Sequence, residues 1–262
     1  VPMVSYASTS PAITNHDDGG YLFRVVPSDA QQSVALADVV KSMGSSNPAA
    51  LYMTNDYGAG LGENFKAAMG SLCTEVGYDP TEGSYDASTL AQAVVDGGCD
   101  SVVLMSYATD GAAIMEELLS QGFSGSLYGA DGLADAALLE SFTDTAAVDG
   151  LVATKPRPGE SSTAKSTFET AYAAAGGNAE GIYTNETYDA VNLIAAAAMA
   201  DSNDDLRDDL ASLGSNYDGA SGVHSFDSNG DVSGTGYEIC DFSGTSFSCS
   251  KIWTSGGGVA GK

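Results

Sequence analysis

The 262-residue sequence predicts an α/β protein, with a parallel sheet covered by helices on both faces. Between residues 49 and 156, short apolar segments alternate with segments of helical periodicity. Fully apolar strands separated by helices are typical of parallel sheets buried on both faces. Apolar residues make up 43% of the chain and charged residues 17%, as in globular proteins, and the length allows one large domain or two modest ones.

The first elements are two apolar strands and a helix. Residues 1–5 (VPMVS) and 21–26 (YLFRVV) form the strands. Residues 29–43 have helical spacing, with Asp29 placed to cap the helix and Gly44 to stop it. The segments that follow are strand 49–54, helix 62–77 ended by Gly77, helix 89–98, strand 101–107, helix 110–122, strand 126–130, helix 134–142 and strand 150–156.

The character of the chain changes after residue 158. Three successive helices are predicted over residues 163–177, 185–200 and 203–214. Residues 224–244 and 246–253 follow as two β segments joined by a turn, with Asn229-Gly230 as a tight-turn sequence, and residues 256–262 form a flexible tail. We therefore expect two differently composed regions.

The charge of the chain excludes several partners. It carries 35 acidic against 9 basic residues, a formal charge of −26. Such a field repels phosphate backbones and anionic lipid surfaces, so we expect no nucleic-acid partner. The acids are spread from Asp17 to Asp241, as on a solvated surface, and a salty habitat that screens their repulsion would be one cause. No run of 18 apolar residues is present, and residue 1 opens no signal segment.

Four cysteines form two pairs that are close in sequence. Cys240 and Cys249 flank a Ser/Gly-rich turn, and Cys73 and Cys99 lie near a helix end and a strand start. No CxxC is present, so zinc and redox motifs are unsupported. We predict the disulfides Cys73–Cys99 and Cys240–Cys249 in a periplasmic or otherwise exported protein, with four reduced thiols as the alternative.

Motifs for cofactors, metals and catalysis are weak. The C-terminal GGGVAGK lacks the Ser/Thr and helix of a P-loop, and in GAGLG (residues 58–62) an acid, Glu63, occupies the position of the third glycine of a dinucleotide fingerprint. Asp227-Asn229-Asp231 is typical of a turn, because Val232 replaces the glycine of a calcium loop. With two histidines and no GxSxG, we predict no enzyme, no cofactor and no metal site.

Polar residues follow the predicted strands, where α/β proteins bind ligands. Hydroxyls and backbone N–H groups in residues 6–11 (YASTSP) suit an anion, with ordinary N-capping as the alternative reading. Tyr57, Tyr107 and Asp131 follow three further strands, an aromatic wall with one negative charge. An anion cradle together with a carboxylate and aromatic rings suits a zwitterion, whose ammonium Asp131 would bind.

Seven segments, in order and spacing, resemble the periplasmic leucine/isoleucine/valine-binding family, the type I solute-binding proteins of ABC importers. They are SYASTSPAIT, YLFRVVPSDAQQS, NDYGAGLGENF, VVLMSYATDGAAIM, LYGADG, NETYDAVNLIAAA and FDSNGD. The resemblance implies two α/β lobes joined by a hinge, with the ligand in the cleft between them. It also implies that family members carry a further half-lobe before residue 1, so that residues 1–28 and 158–232 form an incomplete lobe one, and residues 29–157 and 233–262 a complete lobe two.

The resemblance also implies the roles of individual residues. Ala7, through its backbone, and Thr9 match the segment that holds the ligand carboxylate, with Ser8 between them. The cleft residues that match are Asp29, Tyr57 and Tyr107. Asp131 matches the acid that holds the amino group, which is usually a glutamate in the family, and Tyr183 matches an aromatic position near the hinge.

These observations predict an extracytoplasmic substrate-binding protein of an ABC importer, monomeric, with a membrane permease as its partner. It would bind an amino acid or a related small amide or carboxylate and act by hinge closure. The alternative is a ligand-sensing receptor domain of the same fold without a transport role.

Overall fold

A computed structural model describes residues 1–157, 159, 162–179, 181–200 and 205–262. They form two compact units: unit 1 comprises Val1–Ser28 and Pro156–Thr235, and unit 2 comprises Asp29–Lys155 and Gly236–Lys262. The lobe boundary predicted at residue 158 falls outside the described residues.

The strands and helices are as follows. The strands are β1 (Met3–Ser5), β2 (Leu22–Arg24), β3 (Pro48–Met53), β4 (Thr74–Tyr78), β5 (Ser101–Met105), β6 (Ser126–Gly129), β7 (Val152–Pro156), β8 (Tyr217–Asp218), β9 (Val223–His224), β10 (Tyr237–Ser243), β11 (Ser246–Thr254) and β12 (Gly258–Gly261). The α-helices are α1 (Asp29–Ser42), α2 (Gly58–Met69), α3 (Ala87–Gly97), α4 (Ala108–Ser120), α5 (Thr163–Ala174), α6 (Thr184–Met199) and α7 (Leu206–Leu213).

Unit 2 is built on an eight-stranded sheet in the order β12-β11-β10-β7-β6-β5-β3-β4. The strands from β4 to β7 pair in parallel, whereas β10, β11 and β12 pair antiparallel. Every residue of β5 is buried, as expected for a strand covered on both faces. The predicted α/β class with helices on both faces is confirmed, with a C-terminal antiparallel extension.

Local sequence explains where the helices of unit 2 begin and end. Asp86 accepts a hydrogen bond from the Ser88 N–H at 3.0 Å and so caps α3. The helix ends at Gly98, whose φ of 65° is a left-handed conformation that glycine adopts without a Cβ penalty. Helix α1 begins at Asp29 and buries Leu36, Val39 and Val40.

The bounds of the helix predicted over residues 62–77 are wrong. Helix α2 begins four residues earlier, at Gly58, and ends at Met69, where it is capped by Gly70 with a φ of 87°. The chain then enters β4, which pairs in parallel with β3 at the edge of the sheet. The apparent helical periodicity spans a helix and a strand, because the glycine stop lies in the middle of the predicted segment.

Three further predictions need correction. Residues 134–142 form a short 3-10 helix, Ala136–Ser141, in place of an α-helix. The predicted flexible tail contains β12, which pairs with β11 through backbone bonds that need no side chain. Residues 224–244, predicted as one β segment, are strand only at His224 and Tyr237–Ser243, with a turn at Asn229-Gly230; the turn predicted between this segment and residues 246–253 is present, between β10 and β11.

Both predicted disulfides are present in unit 2. Cys73 and Cys99 join the approach to β4 to the loop after α3, with their Cα atoms 5.5 Å apart. Cys240 and Cys249 are directly opposite each other in the hairpin of β10 and β11. The alternative of four reduced thiols is therefore wrong.

Unit 1 has little sheet of its own in the described residues. Strands β1 and β2 pair in parallel, and β8 and β9 pair antiparallel. Seven buried side chains form its apolar core: Val4, Phe23, Val25, Ala190, Leu193, Ala197 and Leu210. The helix predicted from residue 203 begins outside the described residues, and α7 is capped by Asp205, which accepts from the Arg207 N–H at 3.0 Å.

Candidate ligand-binding site

Three strand ends of unit 2 bring predicted site residues together. Tyr57, Tyr107 and Asp131 come shortly after β3, β5 and β6, which are neighbours in the sheet. Parallel strands end at the same edge, so their following loops converge there, at the position where open α/β sheets bind ligands. Three residues separated by up to 74 positions in the chain thus form one group.

The centre of this group is a hydrogen bond between Tyr57 and Asp131. The Tyr57 hydroxyl donates to Oδ1 of Asp131 at 2.7 Å, and the Gly132 N–H donates to the same hydroxyl at 3.2 Å. Asp131 is 5% exposed. A buried carboxylate is costly unless polar groups solvate it, and Tyr57 supplies one such donor.

Tyr107 completes an aromatic wall beside this carboxylate. Its ring stacks on that of Tyr57, with centroids 5.1 Å apart and planes 10° from parallel. Tyr57 is buried, whereas Tyr107 is 49% exposed. The wall therefore has an anchored inner ring and an outer ring with surface free for contact.

Gly132 allows the loops to approach so closely. A Cβ at this position would lie 3.2 Å from the Tyr57 hydroxyl oxygen and 3.1 Å from Cδ1 of Tyr107, and it would clash with the Ser106 carbonyl oxygen. The absence of a side chain lets the loop after β6 pack beneath both tyrosines.

The acids of the site hold the tyrosines neutral. Burial, the charges of Asp131 and Asp29, and the hydrogen bond to Asp131 raise the pKa of Tyr57 well above its usual value. Burial, followed by the charges of Asp131, Asp29 and Asp110, raises the pKa of Tyr107. The acids place a negative potential at both rings, which favours a cation over an anion.

Asp110, which was not predicted from the sequence, accepts a hydrogen bond from the backbone of Tyr107. Its Oδ1 accepts from the Tyr107 N–H at 3.2 Å, and the Tyr78 hydroxyl donates to its Oδ2 while lying 2.8 Å from Ser106 Oγ. Burial raises the pKa of Asp110, against hydrogen bonds that lower it. An acid at the third position of α4 is a capping signal that could have identified it.

Asp29, which opens α1 of unit 2 and is fully buried, lies near enough to Tyr57 and Tyr107 for its charge to raise the pKa of both. The remaining predicted site residues belong to unit 1. Ala7, Ser8 and Thr9 lie in unit 1, in the loop after β1. Ser10 caps a 3-10 helix, Pro11–Asn15, by accepting from the Ala12 N–H at 3.4 Å, so the capping alternative holds for this one hydroxyl.

Thr9 is a buried polar residue of this loop. It is 3% exposed. In the part of the chain that the structure describes, neither its N–H nor its hydroxyl makes a hydrogen bond within the protein. Both donors of Thr9 are therefore available to an acceptor outside the protein.

Tyr183 immediately precedes α6 with φ 61° and ψ 12°. A non-glycine residue in this left-handed region costs free energy, and such residues are concentrated at functional sites. The structure places this half-buried residue in unit 1.

Two other polar clusters lie away from the strand-end group, one in each unit. In unit 1, Ser221 Oγ lies 2.5 Å from Asp189 Oδ2 and 2.7 Å from His224 Nε2, but all three residues are buried and the acid binds the serine directly, unlike the serine–histidine–acid order of a hydrolase. In unit 2, Glu238 lies near Cys240 and Cys249, whose sulfurs are joined in a disulfide and offer no thiolate. No described helix is both long and apolar enough to cross a membrane.

The fold and the strand-end site define a ligand-binding α/β protein. The family described as "Receptor family ligand binding region" matches residues 1–245, and the chain belongs to this family. A Leu/Ile/Val-binding protein homolog 3 from Brucella melitensis is 32% identical over 139 residues, covering 52% of this chain and 37% of the relative. Human metabotropic glutamate receptor 8 is 28% identical over 93 residues, covering 33% of this chain and 10% of the receptor.

Solved structures confirm the type I periplasmic binding fold. A leucine binding protein, LivK, from Thermotoga maritima matches with a TM-score of 0.83 at 24% identity, covering 96% of this chain and 73% of that chain. LivJ from Streptococcus pneumoniae in complex with isoleucine matches with a TM-score of 0.81 at 18% identity, covering 97% and 73%. The resemblance to the branched-chain amino acid binding family is confirmed, and the chain spans 37% and 10% of the length of these two curated relatives.

Proposed function

We propose that this chain is an extracytoplasmic substrate-binding protein of an ABC importer that binds a small amino acid, or a related amide or carboxylate, without chemical conversion. Family membership supports the ligand-binding role. The importer, its permease partner, the exported location and a monomeric state are parts of the proposal. Ala7, Ser8, Thr9, Asp29, Tyr57, Tyr107, Asp131 and Tyr183 are the residues proposed to contact or frame the ligand.

The observation that carries the proposal is the buried Asp131 carboxylate held by Tyr57. Its Oδ1 is oriented by the 2.7 Å bond from the tyrosine hydroxyl, beside the stacked rings. A ligand ammonium would make a charge-assisted hydrogen bond to this carboxylate and contact the exposed ring of Tyr107.

The Ala7–Thr9 segment is proposed to bind the ligand carboxylate. The N–H and hydroxyl of Thr9, with the neighbouring backbone of Ala7, would donate to a ligand carboxylate. Hinge closure is part of the proposal: a ligand that binds a closed state more tightly than an open one shifts the population towards closure. This closed state is what a permease would recognise.

Three ligands that differ in one group each test the assignment. L-leucine carries both charged groups, isopentylamine lacks the carboxylate, and 4-methylpentanoate lacks the ammonium. Calorimetric titration should give tightest binding to leucine, and a thermal-shift assay at one hundred times Kd should show about 2.7 kcal/mol of added stability. Other amino acids, amides and small carboxylates follow in the same assay.

Two substitutions then test which residue binds the ammonium and which binds the carboxylate of the ligand. Asp131→Ala and Thr9→Ala should each weaken leucine binding by about 1.5–3 kcal/mol, the range for hydrogen bonds to charged groups. Asp131→Ala should leave the binding of 4-methylpentanoate unchanged, and Thr9→Ala that of isopentylamine. Equal loss for all three ligands, or no loss with both substitutions, would contradict the site assignment.

The similarity to metabotropic glutamate receptor 8 favours a second candidate, a ligand-sensing domain without a transport role. Both candidates require ligand binding, so the panel above does not separate them. Reconstitution with a permease does: ligand-dependent stimulation of ATP hydrolysis by the transporter supports transport, and binding to a signalling partner without uptake supports sensing.

A further inference from the structure

Arg24 is a fully buried arginine at the end of β2 in unit 1, with 0% exposure. Its Nε donates to Asp231 Oδ1 at 2.6 Å, and Nη2 donates to Asp231 Oδ2 at 2.8 Å. This two-point contact with a carboxylate fixes the plane of the guanidinium and balances its charge.

Thr14, in the segment that follows Thr9, forms hydrogen bonds with both Arg24 and Asp231. Nη2 of Arg24 donates to Thr14 Oγ1 at 2.8 Å, and Thr14 Oγ1 donates to Asp231 Oδ2 at 2.7 Å. Thr14 lies in the short 3-10 helix Pro11–Asn15, so this helix is anchored to the arginine.

The remaining donors of Arg24 hold the proposed carboxylate-binding loop. Nη1 donates to the backbone oxygen of Ser10 at 2.9 Å and to that of Ser8 at 3.4 Å. A guanidinium has five N–H groups. The two contacts with Asp231, the one with Thr14 and the two with these carbonyls use all five, so Arg24 has no donor left for a ligand.

These contacts determine where the Thr9 N–H points. In a trans peptide the N–H of one residue is opposite to the C=O of the residue before it. The Ser8 carbonyl faces Arg24, so the Thr9 N–H is directed away from the arginine. The Ser8 N–H is already used, because it donates to Ser5 Oγ at 3.0 Å.

We propose that Arg24 is a positioning residue that presents the Thr9 N–H to a ligand carboxylate by holding the carbonyls of Ser8 and Ser10 on its own side. This inference rests on the proposed function of the Ala7–Thr9 segment. Arg24 acts through backbone geometry and not through its charge, which Asp231 balances.

The test replaces Arg24 with lysine, which keeps the charge but lacks the planar fork. Arg24→Lys should lower the affinity for L-leucine by roughly 10-fold to 100-fold and leave that for isopentylamine, which has no carboxylate, unchanged. A merely structural role would lower both affinities equally, and that result, or an unchanged leucine affinity, would overturn the inference. Arg207→Lys is the matched control, because Arg207 is a partly exposed arginine of unit 1 that pairs with Asp208.

A second variant keeps the inference testable if Arg24→Lys does not fold. A second probe keeps it testable if the proposed function is wrong. Thr14→Val removes the anchor from the other side at nearly constant volume and should reproduce the leucine-specific loss. Acetate, titrated while the Thr9 amide is followed by NMR, should shift this resonance in the unaltered chain and not in Arg24→Lys or Thr14→Val. If leucine does not bind but acetate gives this pattern, the proposed function fails and the positioning role stands. The positioning role is overturned if acetate does not shift the Thr9 resonance in the unaltered chain. It is also overturned if the shift is equal in the unaltered chain and in every folded variant.

Discussion

The hydroxyl of Tyr57 and the carboxylate of Asp131, 74 residues apart in the chain, are joined by a 2.7 Å hydrogen bond. The bond connects the loop after β3 to the loop after β6 across the loop of Tyr107. The bond orients a buried acid. The tyrosine hydroxyl keeps its proton, because burial and the nearby acids raise the pKa of Tyr57 well above its usual value.

Tyr57→Phe should weaken leucine binding by about 10-fold or more, because it removes one of the donors that solvate Asp131 while keeping the ring. Calorimetric titration measures this loss. Tyr52→Phe in β3 is the matched control, since its hydroxyl makes no hydrogen bond among the described residues. Equal affinities in the two variants would show that the hydroxyl has no role.

Gly132→Ala should destabilise the protein by about 1–3 kcal/mol in urea unfolding and weaken leucine binding, because the new methyl group meets the Ser106 carbonyl and both tyrosines. Gly261→Ala is the control, since a Cβ there meets no atom within 4 Å. A stability equal to that of the control would mean that the loops can move apart at no cost.

The two disulfides should differ in their effects on stability. Cys73–Cys99 closes a separation of 26 residues, for which loop-closure entropy gives about 3.5 kcal/mol. Cys240–Cys249 closes a separation of 9 residues, for which the same relation gives about 2.6 kcal/mol. Urea unfolding of each Cys→Ser double variant measures the difference, and the reverse order would show that hairpin strain outweighs loop length.

Glu116 should contribute stability that disappears in acid. Hydrogen bonds from the N–H groups of Asp144 and Thr143 and from the Thr143 hydroxyl outweigh burial and lower the pKa of Glu116. Because the folded-state pKa is below the unfolded value of 4.5, this contribution is complete above pH 4.5 and is lost as the pH falls through the folded pKa.

Glu116→Gln should therefore flatten the decline of unfolding free energy between neutral pH and pH 3, measured in urea at several pH values. Glu117→Gln, at the next position of the same helix, is the matched control. Parallel curves for Glu116→Gln and the unaltered chain would contradict the assignment.

Salt should stabilise the chain. A formal charge of −26 favours expansion through self-repulsion, and the Debye length shrinks to about 10 Å at 0.1 M salt. The Tm should rise between 0.05 and 0.5 M KCl at pH 7, and the rise should shrink at pH 4, where part of the carboxylates are protonated. A flat or falling Tm at pH 7 would show that the acids are spaced too widely to repel.

The sequence alone determined the α/β class, the pairing of the cysteines and the position of the site residues at strand ends. The α/β class rests on interactions between near neighbours in the chain: apolar periodicity, capping by Asp86 and the glycine stop at Gly98 act over one or two turns. Predictions from such patterns were wrong where a helix-ending glycine lay inside a segment of apparent helical periodicity, as Gly70 does in residues 62–77.

Only the tertiary structure decided which strand ends meet and which buried groups pair. The bond of Tyr57 to Asp131 depends on the order of β3, β5 and β6 in the sheet, and the contact of Arg24 with Asp231 joins residues 207 positions apart. Such pairs leave no local trace, because a buried charge is stabilised by whatever donor or acceptor the fold brings to it, at any distance along the chain.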